Sequence, residues 1–545
     1  MLSSTRISVG SASVKKQKPC AFVPLQKKLS VAKIAKPISS SNVAVNAAAA
    51  SSGMTSIPIA PSSGSSRRTK VNTLLEDIWP RSATVAIILG GGESDRRLFP
   101  LTEKRALPAL PVGGNYRLID IPMSNCIQSG INKIYVLTQF NSQSLNKYIT
   151  RTYTNAGSVP YGGDGFVEVL ATTQYPHGHR WTEGGADAVR QMSWLVDHTT
   201  NPRALKASKI LILPADQIYR ADFAQLVMDY NRHESEVDSA LSGVTVVLHP
   251  VPLESAPRFG VAKTDGKGIM TSYVEKPTPA QAASLVLTPE EVLQLKKADR
   301  KGQLSWLDPE KGKYVLASTG IYLFDRELLV QLLKDNPQAH GFGGDIIPLA
   351  IASGRKVRTW LVKGYWSDVG GSIKGFLDAN LELLREENES PFDAQAFSRP
   401  FFQGETALPA LELRGCTVSN CSLSPGGCII NSTLSYAVVG PRAFIGSGCV
   451  VEDSVVMGAD YYDSDRRKRN DGAAAEDGPI QMGLGTNCRI KRAIIDKNAC
   501  IGNNVQLVNK EGVWESFDRM ATGVCVRQGV VVVTKNATVA HGTII

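Results

Sequence analysis

Residues 86–122, AIILGGGESDRRLFPLTEKRALPALPVGGNYRLIDIP, decide how this chain folds and what it handles. The apolar run Ala86-Ile87-Ile88-Leu89 predicts a buried strand, and Gly90, Gly91 and Gly92 follow it. Arg96 and Arg97 come next. A glycine-rich turn after a buried strand lets backbone N–H groups approach phosphates closely, and arginines add bidentate charge. The spacing is neither G-x-x-x-x-G-K-[ST] nor G-x-G-x-x-G. Glycine clusters also end many strands that bind nothing, so the loop alone names no ligand.

Outward from this stretch, strand-like and helix-like runs alternate. KIYVLTQ (133–139), SKILILPADQ (208–217) and VRTWLVK (357–363) predict strands; FAQLVMDYNRHE (223–234) and IKGFLDANLELLREEN (373–388) predict helices. Alternation of this kind argues for a doubly wound, mostly parallel α/β domain, here over residues 80–390. Ligands then bind beyond the carboxyl ends of the strands, where the glycine cluster and Asp216 both fall. Residues 391–410 carry turn residues and scattered aromatics without a sustained period, and are expected to form a packed linker.

From 411 to 545 the pattern changes. Apolar residues recur every six positions: Val439, Ile445, Val451; Ile495, Ile501, Leu507; Val533, Val539, Ile545. A hexapeptide period predicts a parallel β-helix, each short strand placing one residue in a shared core. YYDSDRRKRNDGAAAEDG (461–478) breaks the period and is expected to project as a loop.

The net charge of +10 is unevenly placed. Residues 1–75 hold eleven Lys and Arg and no Asp or Glu, which leaves 49 basic against 50 acidic residues in the remainder. The body therefore has no overall basic field for nucleic acid, and no apolar run is long enough to span a bilayer. The first 75 residues, rich in Ser, Ala, Lys and Val, suit an organellar transit peptide, with a disordered tail as the alternative. Nine cysteines with no CxxC pair are expected to be free, mostly buried thiols. Cys416, Cys421 and Cys428 hint at zinc, but no His or fourth Cys lies at ligand spacing.

LFPLT (98–102), KRA (104–106) and YRLIDIPMSNC (116–126) give the chain a family resemblance. It resembles ADP-glucose pyrophosphorylase, whose pattern is close to GGGxGT[RK]L-x-PLT-x-x-RAKPAVP-x-G-x-x-RLIDI, and the likeness runs from about Ala86 to Ile545. The resemblance implies nucleotidyl transfer followed by a left-handed β-helix used for subunit contacts. The phosphate of glucose 1-phosphate attacks the α-phosphorus of ATP in line, and pyrophosphate leaves. Such chemistry calls for Mg2+ on carboxylates, for cationic side chains and for backbone amides.

By the same resemblance, Asp216 in PADQIYR and Asp368 in YWSDVGG are metal ligands, Asp216 being the principal catalytic carboxylate. After Asp368 the chain reads Gly370-Gly371-Ser372 where the family has Gly-Thr. Arg97 and Lys104 are the catalytic cations, and Gly90, Gly91, Gly92, Arg96, Glu183 and Gly184 hold ATP. Glu275 and Lys276 of VEKP, with Ser318 and Asp345, hold the sugar phosphate. Arg105, Lys497 and Lys535 take the effectors 3-phosphoglycerate and phosphate. Without the resemblance, the aspartates are better explained as turn or cap residues, and the coil lysines equally well as solvated surface.

Three departures fall in the ATP half. Glu93-Ser94-Asp95-Arg96-Arg97 replaces x-G-T-R and is one residue longer; Leu107 replaces the second lysine of KRAKPA; Glu183 replaces a glutamine. Glutamate accepts but does not donate. This pattern resembles a large, regulatory subunit of the plastid enzyme, paired in a heterotetramer with a catalytic small subunit for starch synthesis. A fully competent adenylyltransferase and another sugar-phosphate nucleotidyltransferase remain open. Leu107, taken to lie at the cleft edge, leads to the expectation that Leu107→Lys raises kcat with little change in fold.

Overall fold

The computed structural model describes residues 84–91, 97–154, 165–172, 182–195, 207–236, 243–299, 303–385, 401–404, 407–462 and 480–545. The N-terminal 75 residues, Gly92, Arg96 and nearly all of the 461–478 insert lie outside them.

Thr84–Leu89 is the hub of the sheet. It pairs in parallel with Lys133–Thr138 on one side and with Lys209–Pro214 on the other, and Phe166–Ala171 extends the first side, again in parallel. Beyond Lys209–Pro214 comes the twelve-residue strand Tyr314–Asp325, antiparallel to it. Val244–Pro252 is antiparallel to that strand in turn, and Arg358–Leu361 is parallel to Val244–Pro252. Six of these seven strands thus share one direction, and Tyr314–Asp325 alone is reversed.

The apolar runs are continuous rather than alternating because both faces are covered. Ala86 and Ile88 enter one core with helices Asp120–Gln128, Phe223–Glu236 and Ile373–Glu382. Val85 and Ile87 enter the other with helices Gly185–Gln191, Arg326–Asp335 and Ile347–Ala352. The domain is doubly wound, as the alternation predicted. The last helix of the first face stops at Glu382, short of the expected 388. There the N–H groups of Leu384 and Arg385 bond three residues back, the tightening common at helix ends.

The reversed strand slips register between Ser318 and Tyr322. Its first half also pairs with Gly260–Thr264, which forms a hairpin with Met270–Glu275. Ser318 is the last paired residue before the slip, and Tyr273 of the hairpin hydrogen-bonds both it and Glu275.

The C-terminal part is a parallel β-helix. Thr433–Val439 lies against Val450–Val456 from Thr433 opposite Val450 to Val439 opposite Val456, and later strands continue the stack. Eight of the nine residues at six-residue spacing are buried, and Ile545 is half-buried at the end. Corners use left-handed residues, among them glycines and asparagines: Asn431, Asn487, Asn498, Asn504 and Asn536 all have positive φ, which Asn tolerates better than most side chains. Inside, Ser432 Oγ, Cys449 Sγ and Cys488 Sγ each donate to a carbonyl of the next coil, those of Gly446, Gly485 and Gly502. The buried cysteines here serve as small, weak donors; none of the eight described cysteines is in a disulfide.

Coil and sheet share one core. Val438, Val455, Ile494, Val530 and Val532 join the face that contains Phe376 and Leu377. Phe401, from the linker, is buried against Tyr116 and beneath the guanidinium of Arg220. Arg105, from the α/β domain, makes a buried ion pair with both oxygens of Asp496 on the coil.

Candidate active site

Asp216 leaves the carboxyl end of Lys209–Pro214, and the chain turns at once into Gln217–Tyr219. That short strand pairs antiparallel with Trp366–Asp368, placing Asp368 opposite Gln217, the neighbour of Asp216. Two aspartates far apart in sequence thereby share one ribbon. Gln217 fixes it: its Nε2 donates to the carbonyl of Thr319 at 2.8 Å, and its Oε1 accepts from Trp366 Nε1 at 2.9 Å. Below, His249 packs against Trp366, and burial holds its pKa down to about 4, so the imidazole is neutral.

Both carboxylates lie over Gly370 and Gly371. A Cβ on Gly370 would sit 2.9 Å from Asp216 Oδ2, and one on Gly371 would sit 2.6 Å from Asp368 Oδ2. The departure from Gly-Thr is thus accommodated: the second glycine clears the carboxylate, and Ser372 caps the next helix by accepting from Gly375 N. Arg97 Nη2 stands 3.8 Å from Asp216 Oδ2, and Arg258 Nη2 donates to Asp368 Oδ2 at 2.8 Å. The aspartates are largely buried while both arginines are half exposed, so the pairs face an open cleft.

The glycine turn meets this cleft. Gly90 spends its own N–H on Leu137 O at 2.7 Å, and Gly91 lies against Gln139; a Cβ at either place would be tight, 3.0 Å from Leu137 O and from Gln139 Cγ. Gly184 has φ +87, and a Cβ there would lie 2.5 Å from the His340 carbonyl, so this position needs glycine. Glu183 Oε2 is 3.8 Å from His340 Nε2 across the same approach. Asp345 Oδ2 accepts from the N–H groups of both His340 and Gly341 at 2.8 Å. That oxygen shapes the loop carrying Gly343 and Gly344.

Around Glu275, Tyr273 Oη donates to Glu275 Oε2 at 2.7 Å, and Ser318 hydrogen-bonds the hydroxyls of Tyr273 and Tyr322. Burial raises both phenol pKa values, that of Tyr322 to about 12, so both hydroxyls keep their protons as donors. A Cβ on Gly343 would lie 2.7 Å from Glu275 Oε2 and from Tyr273 Oη, and 3.3 Å from Tyr322 Oη. Glycine leaves those oxygens uncovered. Lys276 follows with φ +47, exposed, its N–H held by Phe259 O. The two ends join through Ser318-Thr319, since the Thr319 carbonyl is what Gln217 bonds.

The remaining candidates lie elsewhere. Lys104, read as a catalytic cation, donates from Nζ to the Lys535 carbonyl at 3.4 Å and so stands beside the coil. The cause is the path of its segment: adjacent Arg105 is pinned on Asp496. Leu107 is not at a cleft edge. It is 1% exposed in a short 3₁₀ turn inside the main core. Lys497 and Lys535 converge on Asp460, each 2.8 Å from a different carboxylate oxygen. Burial disfavours the charge on Asp460, but the two lysines outweigh it and hold the pKa well below the usual carboxylate range. Burial lowers the pKa of Lys497, an effect Asp460 partly offsets.

Arg258, Tyr273 and Tyr322 were not singled out from the sequence. For Tyr273, its place two residues before Glu275 on one strand, hence on the same face, was the available signal.

Residues 85–386 match a family model described as nucleotidyl transferase, which covers more than half the chain. Residues 406–544 match the GLGC left-handed parallel beta-helix domain.

Proposed function

The chain belongs to the nucleotidyl transferase family and joins that domain to a GLGC left-handed coil, the architecture of a GLGC-like ADP-glucose pyrophosphorylase, and on that premise we propose that it is a subunit of glucose-1-phosphate adenylyltransferase. It forms ADP-glucose and pyrophosphate from ATP and glucose 1-phosphate for starch synthesis in a plastid, as the regulatory large subunit beside a catalytic small subunit. The observation that carries the reaction is the ribbon uniting Asp216 and Asp368, with Arg97 on one flank and the Glu275–Ser318 network on the other.

Magnesium suits this donor set. Among the described residues no third carboxylate, His or Cys completes a cage, and magnesium prefers one or two carboxylates with substrate oxygens filling the shell. Asp216 and Asp368 would hold it, and when bound it would neutralise charge on the reacting phosphates. The side chains act around that centre. Arg97 meets phosphate oxygens of ATP. Lys276 holds the phosphate of the sugar as a point charge. Glu275, aimed by Tyr273, accepts from glucose hydroxyls. With both reactants fixed, attack at the α-phosphorus becomes effectively unimolecular.

Support for the regulatory role comes from Glu183, which brings negative charge to the ATP approach beside His340. It comes equally from the coil cluster of Lys497, Lys535 and Lys104, which suits 3-phosphoglycerate or phosphate. The retained Arg97–Asp216 pair favours the second reading, a subunit competent alone. The deciding assay compares the full chain alone with the chain co-expressed with a small subunit. The expected result is ADP-glucose synthesis at least about 10²-fold faster in the pair, the size typical of losing one charge-stabilising donor. Equal rates would establish the competent subunit instead.

A further inference from the structure

Lys497 and Lys535 sit on neighbouring coils, linked by the Asn536 N–H to Lys497 O bond at 3.1 Å. Asp460 is clamped above them. Its N–H donates to Asn498 Oδ1 at 2.8 Å, and Asn498 Nδ2 reaches back to Asp460 Oδ2 at 3.4 Å. Held this way, one carboxylate oxygen meets Lys497 and the other Lys535, both at 2.8 Å. The lysine side chains are 14% and 23% exposed, and that of Asp460 is 36% exposed. The anion therefore stands on the solvent side of the pair it neutralises.

Other cations surround it. Arg105 is committed to Asp496. Arg117 lies close enough to act electrostatically on Asp460 and Lys497 while its guanidinium rests on the Tyr148 ring. Lys104 reaches the Lys535 backbone. These five cations face three carboxylates, Asp460, Asp496 and the Asp120 that lies beside Arg117, so the pocket stays positive even with Asp460 in place.

We propose that Asp460 is a built-in anion occupying the seat of a small phosphate- or carboxylate-bearing effector, which binds by displacing it from Lys497 and Lys535. This rests on the reading of those lysines as effector residues and adds what sets their threshold. A carboxylate spans its two donors much as two oxygens of a phosphate would. An incoming anion gains two lysines only as Asp460 gives them up, so apparent affinity is reduced by the fraction of molecules in which the clamp is closed. A dianion or trianion outcompetes a single carboxylate in a positive pocket, whereas a weakly charged solute does not.

The test is calorimetric titration of the full chain with inorganic phosphate, for wild type, Asp460→Asn, Asp460→Glu and the double variant Lys497→Ala/Lys535→Ala, with thermal melts of each. Asp460→Asn keeps the shape and the Asn498 contact, and it should bind phosphate about tenfold more tightly or better. Asp460→Glu keeps the charge and should stay close to wild type. Unchanged or weaker affinity in a folded Asp460→Asn chain overturns the proposal, as does equal tightening in Asp460→Glu, which would make size the cause. If the double lysine variant binds phosphate as wild type does, the effector reading itself fails, independently of Asp460.

Discussion

Replacing Asp216 with asparagine is expected to lower the chain's own ADP-glucose synthesis by about 10³-fold, at the upper end of losses from deleting one charge-stabilising group, while the melting temperature hardly moves. The side chain is largely buried at the mouth of the ribbon, and its charge faces Arg97 at 3.8 Å. Asparagine fills the same space but cannot hold a divalent cation with the same charge or orient that guanidinium. The backbone role survives, because it is the Asp216 carbonyl that accepts from Gly370 N. Long ion pairs to half-exposed arginines add little stability, and removing one of two neighbouring carboxylates relieves repulsion. The check is a rate measurement on concentrated full chain with ATP, magnesium and glucose 1-phosphate, without a small subunit. A folded variant within tenfold of wild type would remove Asp216 from the chemistry.

Leu107→Lys should unfold the protein rather than activate it. Sequence comparison leads to the opposite expectation, a gain in kcat from a restored cation. The structure puts Leu107 at 1% exposure in the core that also holds Leu98, Leu101, Leu110 and Leu118. An ammonium there has no water and must either ionise unpaired or lose its proton, and burying an unpaired charge is among the few changes that cost about 4–5 kcal/mol or more. Leu107→Ala, which only leaves a cavity, should cost about 2–5 kcal/mol. Urea unfolding of the three proteins measures this. A lysine variant with wild-type stability and faster turnover would return Leu107 to the nucleotide site.

What the sequence revealed was local. The six-residue spacing of Val439, Ile445 and Val451 is a periodic signal that states which face a residue buries, and the unbroken apolar run Ala86–Leu89 marks a strand covered on both faces. The carboxylate ribbon was legible only as two separate motifs. Its join depends on the pairing of Gln217 with Asp368, a tertiary fact that no spacing encodes. Arg258 reaches the site from the end of the 3₁₀ turn Leu253–Arg258, and Tyr322 from the strand that slips register after Ser318, so nothing near them in the chain marks them. Lys104 and Leu107 misled for the same reason in reverse. They lie beside the phosphate loop in sequence, yet the segment dives into the core and under the coil, where Asp496 holds Arg105.

The proposed cleft holds the nucleotide at the Asp216–Asp368 ribbon and the sugar phosphate at Glu275–Lys276. ADP-glucose spans both ends, so its binding to the full chain, titrated by calorimetry with magnesium present, tests the claim without requiring turnover. Wild type is expected to bind, and Lys276→Ala and Asp216→Asn are each expected to weaken the same Kd by tenfold or more, about 1.4 kcal/mol apiece. Binding that either substitution leaves unchanged, or no binding by the folded wild-type chain, would contradict it.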